Sequence, residues 1–137
     1  MIISQTLRRA VQQNPDGIAT IYKDRKQSWR AFENRVARLA AGLRALGAES
    51  GNRVAILSLN SDRYLEYFYA VPWAGAALNP VNIRLAPPEI AYSLNDSASS
   101  ILFVDDAFSD MLSKLRPLLE TVQHVVFMGD GSLPDGC

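Results

Sequence analysis

RVAILSLNSDRYLEYFYAVPWAGAAL, residues 53–78, changes its hydrophobic rhythm twice. Val54–Leu59 is almost uninterrupted apolar sequence, as strands covered on both faces are. Asn60-Ser61-Asp62 then offers a helix cap. Tyr64, Leu65, Phe68, Tyr69 and Val71 populate a helix that runs towards Pro72 and Gly75. Ala76–Leu78 is a second short strand before Asn79-Pro80. A strand–helix–strand unit of this length predicts two parallel strands joined by a crossover.

The same alternation continues downstream. Pro87-Pro88 opens a helix with Ile90, Ala91 and Leu94 apolar. Ile101–Val104 predicts a third strand, Phe108–Leu119 a third helix and Val125–Met128 a fourth strand, after which GDGSLPDGC carries only turn signals. Upstream, Ser4–Gln13 places Leu7, Ala10 and Val11 at helical spacing, and Asn14-Pro15-Asp16-Gly17 stops it. Ile18–Tyr22 and Gln27–Trp29, around the charged Lys23-Asp24-Arg25-Lys26, fit a hairpin. A helix follows in which Ser28 can cap, Phe32, Val36, Leu39, Leu43 and Leu46 form one apolar stripe, and Gly47 supplies the stop. Arg30, Arg35, Arg38 and Arg44 mostly lie off that stripe, which predicts a solvated outer face.

The fold expected is α/β: βαβ units forming a mostly parallel sheet with helices on both faces, preceded by a short helix and a β-hairpin. The single domain then divides into residues 1–29 (helix plus hairpin), 30–128 (sheet part) and 129–137 (flexible tail).

With 137 residues and 48% hydrophobic content, the chain suits one globular core. A formal net charge of zero argues against a nucleic acid held by phosphate neutralisation. The charge is uneven, however: residues 1–63 hold eleven basic and five acidic residues, residues 64–137 three and nine. Complementary surfaces within one fold and a basic docking face both fit that asymmetry. One cysteine, Cys137, excludes an internal disulfide. There is no apolar run of membrane-spanning length and no signal-peptide order at the N-terminus, so a cytoplasmic location is expected.

In an open parallel sheet, ligands gather beyond the carboxyl ends of the strands. Three such ends carry polar groups: Leu57-Ser58-Leu59-Asn60, Leu78-Asn79-Pro80 and Val104-Asp105-Asp106. Asp105-Asp106 could hold a divalent cation or accept a phosphoryl group, but that chemistry needs a third carboxylate and a converging lysine. Lys114 falls inside a predicted helix, and Lys23 and Lys26 fall in the hairpin. Helix capping by one of the two acids is the plainer reading. His124 is the only histidine, which excludes a multi-histidine metal site. Tyr64, Tyr67, Phe68, Tyr69 and Trp73 share one helix, as core packing or as a ligand wall. Neither G-x-G-x-x-G nor G-x-x-x-x-G-K-[ST] occurs, so the chain holds no glycine-rich phosphate cradle and no complete catalytic site.

A succession of segments resembles the N-terminal region of the AMP-forming acyl-CoA synthetases, of fatty-acyl or aryl CoA ligase type. LRRAVQQNPDGIA resembles that family's opening helix and turn, and SWRAF its Thr-Tyr-x-x-Leu helix start. SGNRVAILSLNS resembles its first core strand and turn, with Asn52 where the family usually has Asp. YAVPWAGAALNPVNIRL, PPEIAYSLNDS and SSILFVDD then follow in family order, so that the likeness covers Thr6 to Met128. It implies a carboxylic acid substrate, probably fatty acid in character, activated as an acyl-adenylate with ATP and Mg2+ and passed to CoA. The family's phosphate-binding loop, adenine motif, ribose-binding aspartate and catalytic lysine would lie beyond the matching segment. The resemblance therefore implies an incomplete part of the large N-terminal domain, inactive alone, with no catalytic or metal-ligating residue of its own and no cofactor held tightly. Within LNPVNIRLAPPEI, carry-over from related ligases makes Arg84 a candidate contact for the CoA phosphates. The alternative is a free-standing interaction or membrane-docking module without catalysis. Peripheral membrane contact through the arginine-rich half, and a dimer, remain compatible with either.

Overall fold

The computed structural model describes residues 3–137, arranged as two compact units. One takes in the chain up to Glu49 together with Asn60–Gly75; the other comprises Ser50–Leu59 and Ala76–Cys137. The first holds ten Lys and Arg against six Asp and Glu, a net of +4, and the second four against eight, a net of −4. The charge asymmetry along the sequence is thus a difference between units.

The first unit contains α1 (Ile3–Gln13), the antiparallel hairpin β1 (Ile18–Tyr22) and β2 (Arg25–Ser28), α2 (Trp29–Ala45) and α3 (Asp62–Trp73). The hairpin turn needs only Lys23 and Asp24, with Lys23 in the left-handed region at φ 55°, so β2 begins at Arg25 rather than Gln27. Trp29 leaves the strand because Ser28 Oγ accepts from Ala31 N at 3.1 Å and starts α2 there. Phe32, Val36, Ala40 and Leu43 form its buried stripe. The helix closes with paired bonds from Gly47 N to Arg44 O and Ala48 N to Leu43 O, for which Gly47 takes φ 93°. Ser61 Oγ caps α3 by accepting from Tyr64 N at 3.3 Å.

The second unit is built on a parallel sheet of order β4 (Ala77–Pro80), β3 (Arg53–Leu57), β5 (Ser99–Val104), β6 (His124–Phe127). Ala55 and Leu57 of β3 and Leu102 and Val104 of β5 point into one cluster with Ile90, Ala91 and Leu94 of α4 (Pro87–Asp96). Val54, Ile56, Ile101 and Phe103, alternate along the same strands, are buried as well. Burial on both faces is why these strands lack polar alternation. The α/β expectation holds, with a four-stranded parallel sheet and a two-stranded antiparallel hairpin.

The structure corrects two boundaries. Pro80 belongs to β4 instead of ending it at Leu78. Ala77 N and Val81 N donate to Asn52 O and Ile56 O of the β3 segment, each at 2.9 Å. By alternation, the N–H that Pro80 lacks would have pointed away from β3, which is where an edge strand tolerates proline. The helix expected over Phe108–Leu119 is instead a 3-10 turn (Asp106–Met111), the short α5 (Leu112–Leu115) and a second 3-10 turn (Arg116–Leu118). Ser109 and Ser113 hydroxyls donate to the carbonyls of Asp106 and Asp110, competing with the main-chain ladder, and Pro117 has no N–H to continue it.

Candidate functional site

The connectivity selects one position in the sheet. The chain runs from β3 to β4 on one side and then back across to β5 on the other, so the strand order reverses between β3 and β5. In open α/β sheets the crevice at such a switch point, beyond the carboxyl ends, is where ligands bind. Here Asp105, directly after β5, occupies it. Its Oδ2 accepts from Leu59 N at 2.9 Å and from Ser58 Oγ at 3.0 Å, both just past β3. Its Oδ1 accepts from Ala107 N at 3.1 Å and caps the following 3-10 turn. The carboxylate therefore joins the ends of two neighbouring strands with three donors.

Asp106 is engaged in the same manner. Its Oδ2 accepts from Asp130 N at 2.8 Å and its Oδ1 from Gly131 N at 3.0 Å. The Gly129-Asp130-Gly131 backbone closes so tightly that a Cβ on Gly131 would stand 2.5 Å from Asp106 Oδ1. Two adjacent acids saturated by main-chain donors are structural anchors, and Lys114 lies on α5. No group of three metal-ligating side chains comes together among the described residues. Neither the strand-end acids nor the glycine positions fit Mg-ATP within these residues. Asp105→Ala leaves Ser58 Oγ, Leu59 N and Ala107 N without their acceptor; the expected loss is about 2 kcal/mol of stability, checked by urea unfolding against Asp105→Asn, which keeps one carbonyl acceptor.

Arg84 lies in the loop between β4 and α4. Asn82 Oδ1 accepts from Arg84 N at 3.0 Å and Leu85 N donates to Asn82 O at 3.3 Å, a turn that leaves the arginine exposed beyond a strand end. Its guanidinium makes no ion pair or hydrogen bond among the described residues. Glu89 Oε2 closes the loop by accepting from Ala86 N at 2.8 Å. Val81 is buried at the loop's start, so the loop is anchored and its tip free.

The first unit holds the charged cluster that sequence reasoning missed. Asp62 and Glu66, one turn apart on α3, are both buried. Arg25 of β2 donates to Asp62 through Nε at 3.0 Å and Nη2 at 2.7 Å. Arg35 of α2 donates through Nε to Glu66 Oε1 at 2.7 Å, where Gln27 Nε2 also donates at 3.2 Å. The Glu66 hydrogen bond lifts the Arg35 pKa above its ordinary value, outweighing desolvation. The expected solvated arginine face is therefore corrected for Arg35, and also for Arg44, whose Nη2 donates to Trp73 O at 2.8 Å. The legible signal was the i, i+4 spacing of Asp62 and Glu66 on the face that also buries Ala70.

The aromatic residues of α3 divide between core and surface. Tyr67 is wholly buried and Tyr69 packs edge-on to Phe32 at 5.6 Å. Tyr64 stacks near Phe68 at 5.3 Å, and burial pushes its phenol pKa up. Phe68 and Leu65 remain exposed.

A family model for AMP-binding enzymes matches residues 7–136, and the chain belongs to that family. It is 46% identical over 102 residues to a long-chain-fatty-acid–CoA ligase of Thermus thermophilus, covering 74% of this chain and 19% of that protein. It is 30% identical over 128 residues to 4-hydroxybutyrate–CoA ligase 2 of Metallosphaera sedula, covering 93% and 23%. Among solved structures, the N-terminal domain of FACL13 from Mycobacterium tuberculosis superimposes with a TM-score of 0.86 at 28% identity, over 93% of this chain and 34% of that one. The chain thus spans about one fifth of the length of the curated relatives it matches.

Proposed function

We propose that these residues are the N-terminal part of an ATP-dependent acid–CoA ligase, one that converts a carboxylic acid, of fatty-acid type, to its acyl-adenylate and then to the CoA thioester. The observation that carries this is the family match over residues 7–136. The 46% identity to a long-chain-fatty-acid–CoA ligase supports the fatty-acid preference. We further propose that the 137 residues alone are inactive, because their strand-end acids are committed to main-chain donors and no glycine-rich phosphate loop is present. Mg2+ and ATP would be held by the remainder of the protein. The test is ATP–pyrophosphate exchange with acids from acetate to palmitate. The whole protein exchanges with at least one of them and the 137-residue chain with none; exchange by the short chain overturns the inactivity.

Arg84 has a role in the same proposal, as a contact for a CoA phosphate. An unpaired guanidinium on an anchored loop is suited to grip phosphate through two parallel N–H donors. In the whole protein, Arg84→Ala raises KM for CoA about tenfold and leaves adenylate formation unchanged. An unaltered CoA dependence retires the role.

A further inference from the structure

We infer that the first unit carries a second anion site, a groove of about 380 Å3 lined by β2, the residues flanking it, α2 and α3, that takes a phosphate monoester. The inference rests on this groove alone and is independent of the ligase reading.

Arg25, Lys26, Gln27 and Arg35 form its wall with Arg63, and Asp24 and Asp62 are the acids there. Asp62 is already engaged by both Nε and Nη2 of Arg25. Arg35 is fixed by its Nε on the buried Glu66, which leaves its two Nη groups without a partner and its position set in advance. Lys26 is exposed and forms no ion pair among the described residues. Cations whose geometry is fixed by buried acids lose little freedom when an anion arrives, so more of the contact energy appears as affinity.

One further atom narrows the ligand. Gln27 Oε1 is buried without a donor, while its Nε2 is committed to Glu66 and Thr20. The carboxylate of Glu66 fixes which end of the amide carries the nitrogen. A ligand suited to this wall accepts hydrogen bonds from Arg35 and Lys26 and donates one to Gln27. A phosphate monoester does both, since its second ionisation falls at about pH 6 and the singly protonated form keeps one P–OH. Sulfate and carboxylate ions carry no such proton near neutrality. The adjoining groove, lined by Ala19, Ile21, Tyr22 and Leu65 and sharing Asp62, is apolar and accommodates a hydrocarbon tail on the same ligand. A soluble phosphate ester and a lipid of phosphatidic-acid type both supply the required group.

The test is an NMR titration of the 137-residue chain near pH 6, following the Arg35 Nε–H and Gln27 amide resonances. Sodium phosphate, sodium sulfate and sodium chloride are compared at equal ionic strength. Phosphate is expected to give saturable shifts at both side chains, several-fold tighter than sulfate, with Lys26→Gln weakening phosphate by about tenfold. Lys26 is exposed, so that variant keeps the fold, and circular dichroism checks it. A parallel arm uses phosphatidylcholine vesicles doped with phosphatidic acid. Sedimentation with these vesicles that free phosphate competes away identifies a lipid source, and saturation by free phosphate without vesicle binding identifies a soluble one. Shifts that stay linear, that chloride reproduces, or that survive Lys26→Gln unchanged overturn the site.

Discussion

Arg25→Ala is expected to cost the chain about 3 kcal/mol of stability, more than removal of the acid it pairs with. The asymmetry follows from where the two partners sit. The Asp62 side chain is only 2% exposed, whereas that of Arg25 is 33% exposed. Without the arginine, a buried carboxylate keeps the Arg63 main-chain N–H at 2.9 Å and loses the bidentate guanidinium. Uncompensated buried charge of this kind costs about 3–5 kcal/mol, and the partial exposure of Arg25 places the value at the lower end. Tyr22 also loses the cation 5.2 Å from its ring. Asp62→Ala instead leaves an arginine that can turn to water, at about 1 kcal/mol. Urea unfolding of the two single variants and the double variant decides it, since the cycle isolates the pair. Equal losses in the two single variants would show that burial of Asp62 is not what sets the cost.

Leu102→Ala is the second large effect, expected at 3–4 kcal/mol. Leu102 has no exposed surface and lies on β5, one of the two inner strands, in the cluster formed with Ala55, Leu57, Ile90 and Leu94. Truncation removes its transfer free energy and leaves a cavity that neighbours on hydrogen-bonded strands cannot collapse to fill, a combination that spans about 2–5 kcal/mol for leucine. For a chain of this size, that corresponds to a fall in Tm of roughly 10 °C. Tyr92→Ala on the outer side of α4 serves as the control: at 72% exposure it is expected to change stability by less than about 0.5 kcal/mol. A Leu102→Ala protein that melts with the Tyr92 variant would refute the cluster as the source of stability.

The fold was largely legible because its cues are local. The change of period across Val54–Leu78, the apolar stripe of α2 and the hydroxyls of Ser28 and Ser61 each act within a few residues. What was not legible depends on partners distant in sequence. Arg35 looks like any arginine off an apolar stripe until Glu66, 31 residues away, is placed against it. Asp105 suggested a cap, and the structure does give it one, but its bond to Leu59 N spans 46 residues and no periodicity announces it. The 3-10 course of 106–118 was hidden for a different reason: apolar spacing there is helical, while serine hydroxyls and Pro117 decide the finer geometry. Arg84 was legible as a loop residue, and its chemistry entered only with the family resemblance.

Pro80 has a consequence for how the chain behaves at high concentration. A sheet rim grows into fibres by offering successive outward N–H groups to an incoming strand. On the β4 rim, the proline removes one of the two outward donors, at the end where a templated strand would have to register. The β6 rim, HVVF from His124 to Phe127, carries no proline and has two β-branched residues. Fibril growth, where it occurs, is therefore directed to one rim of the sheet, and a lysine substituted on β6 would suppress it where one on β4 would not.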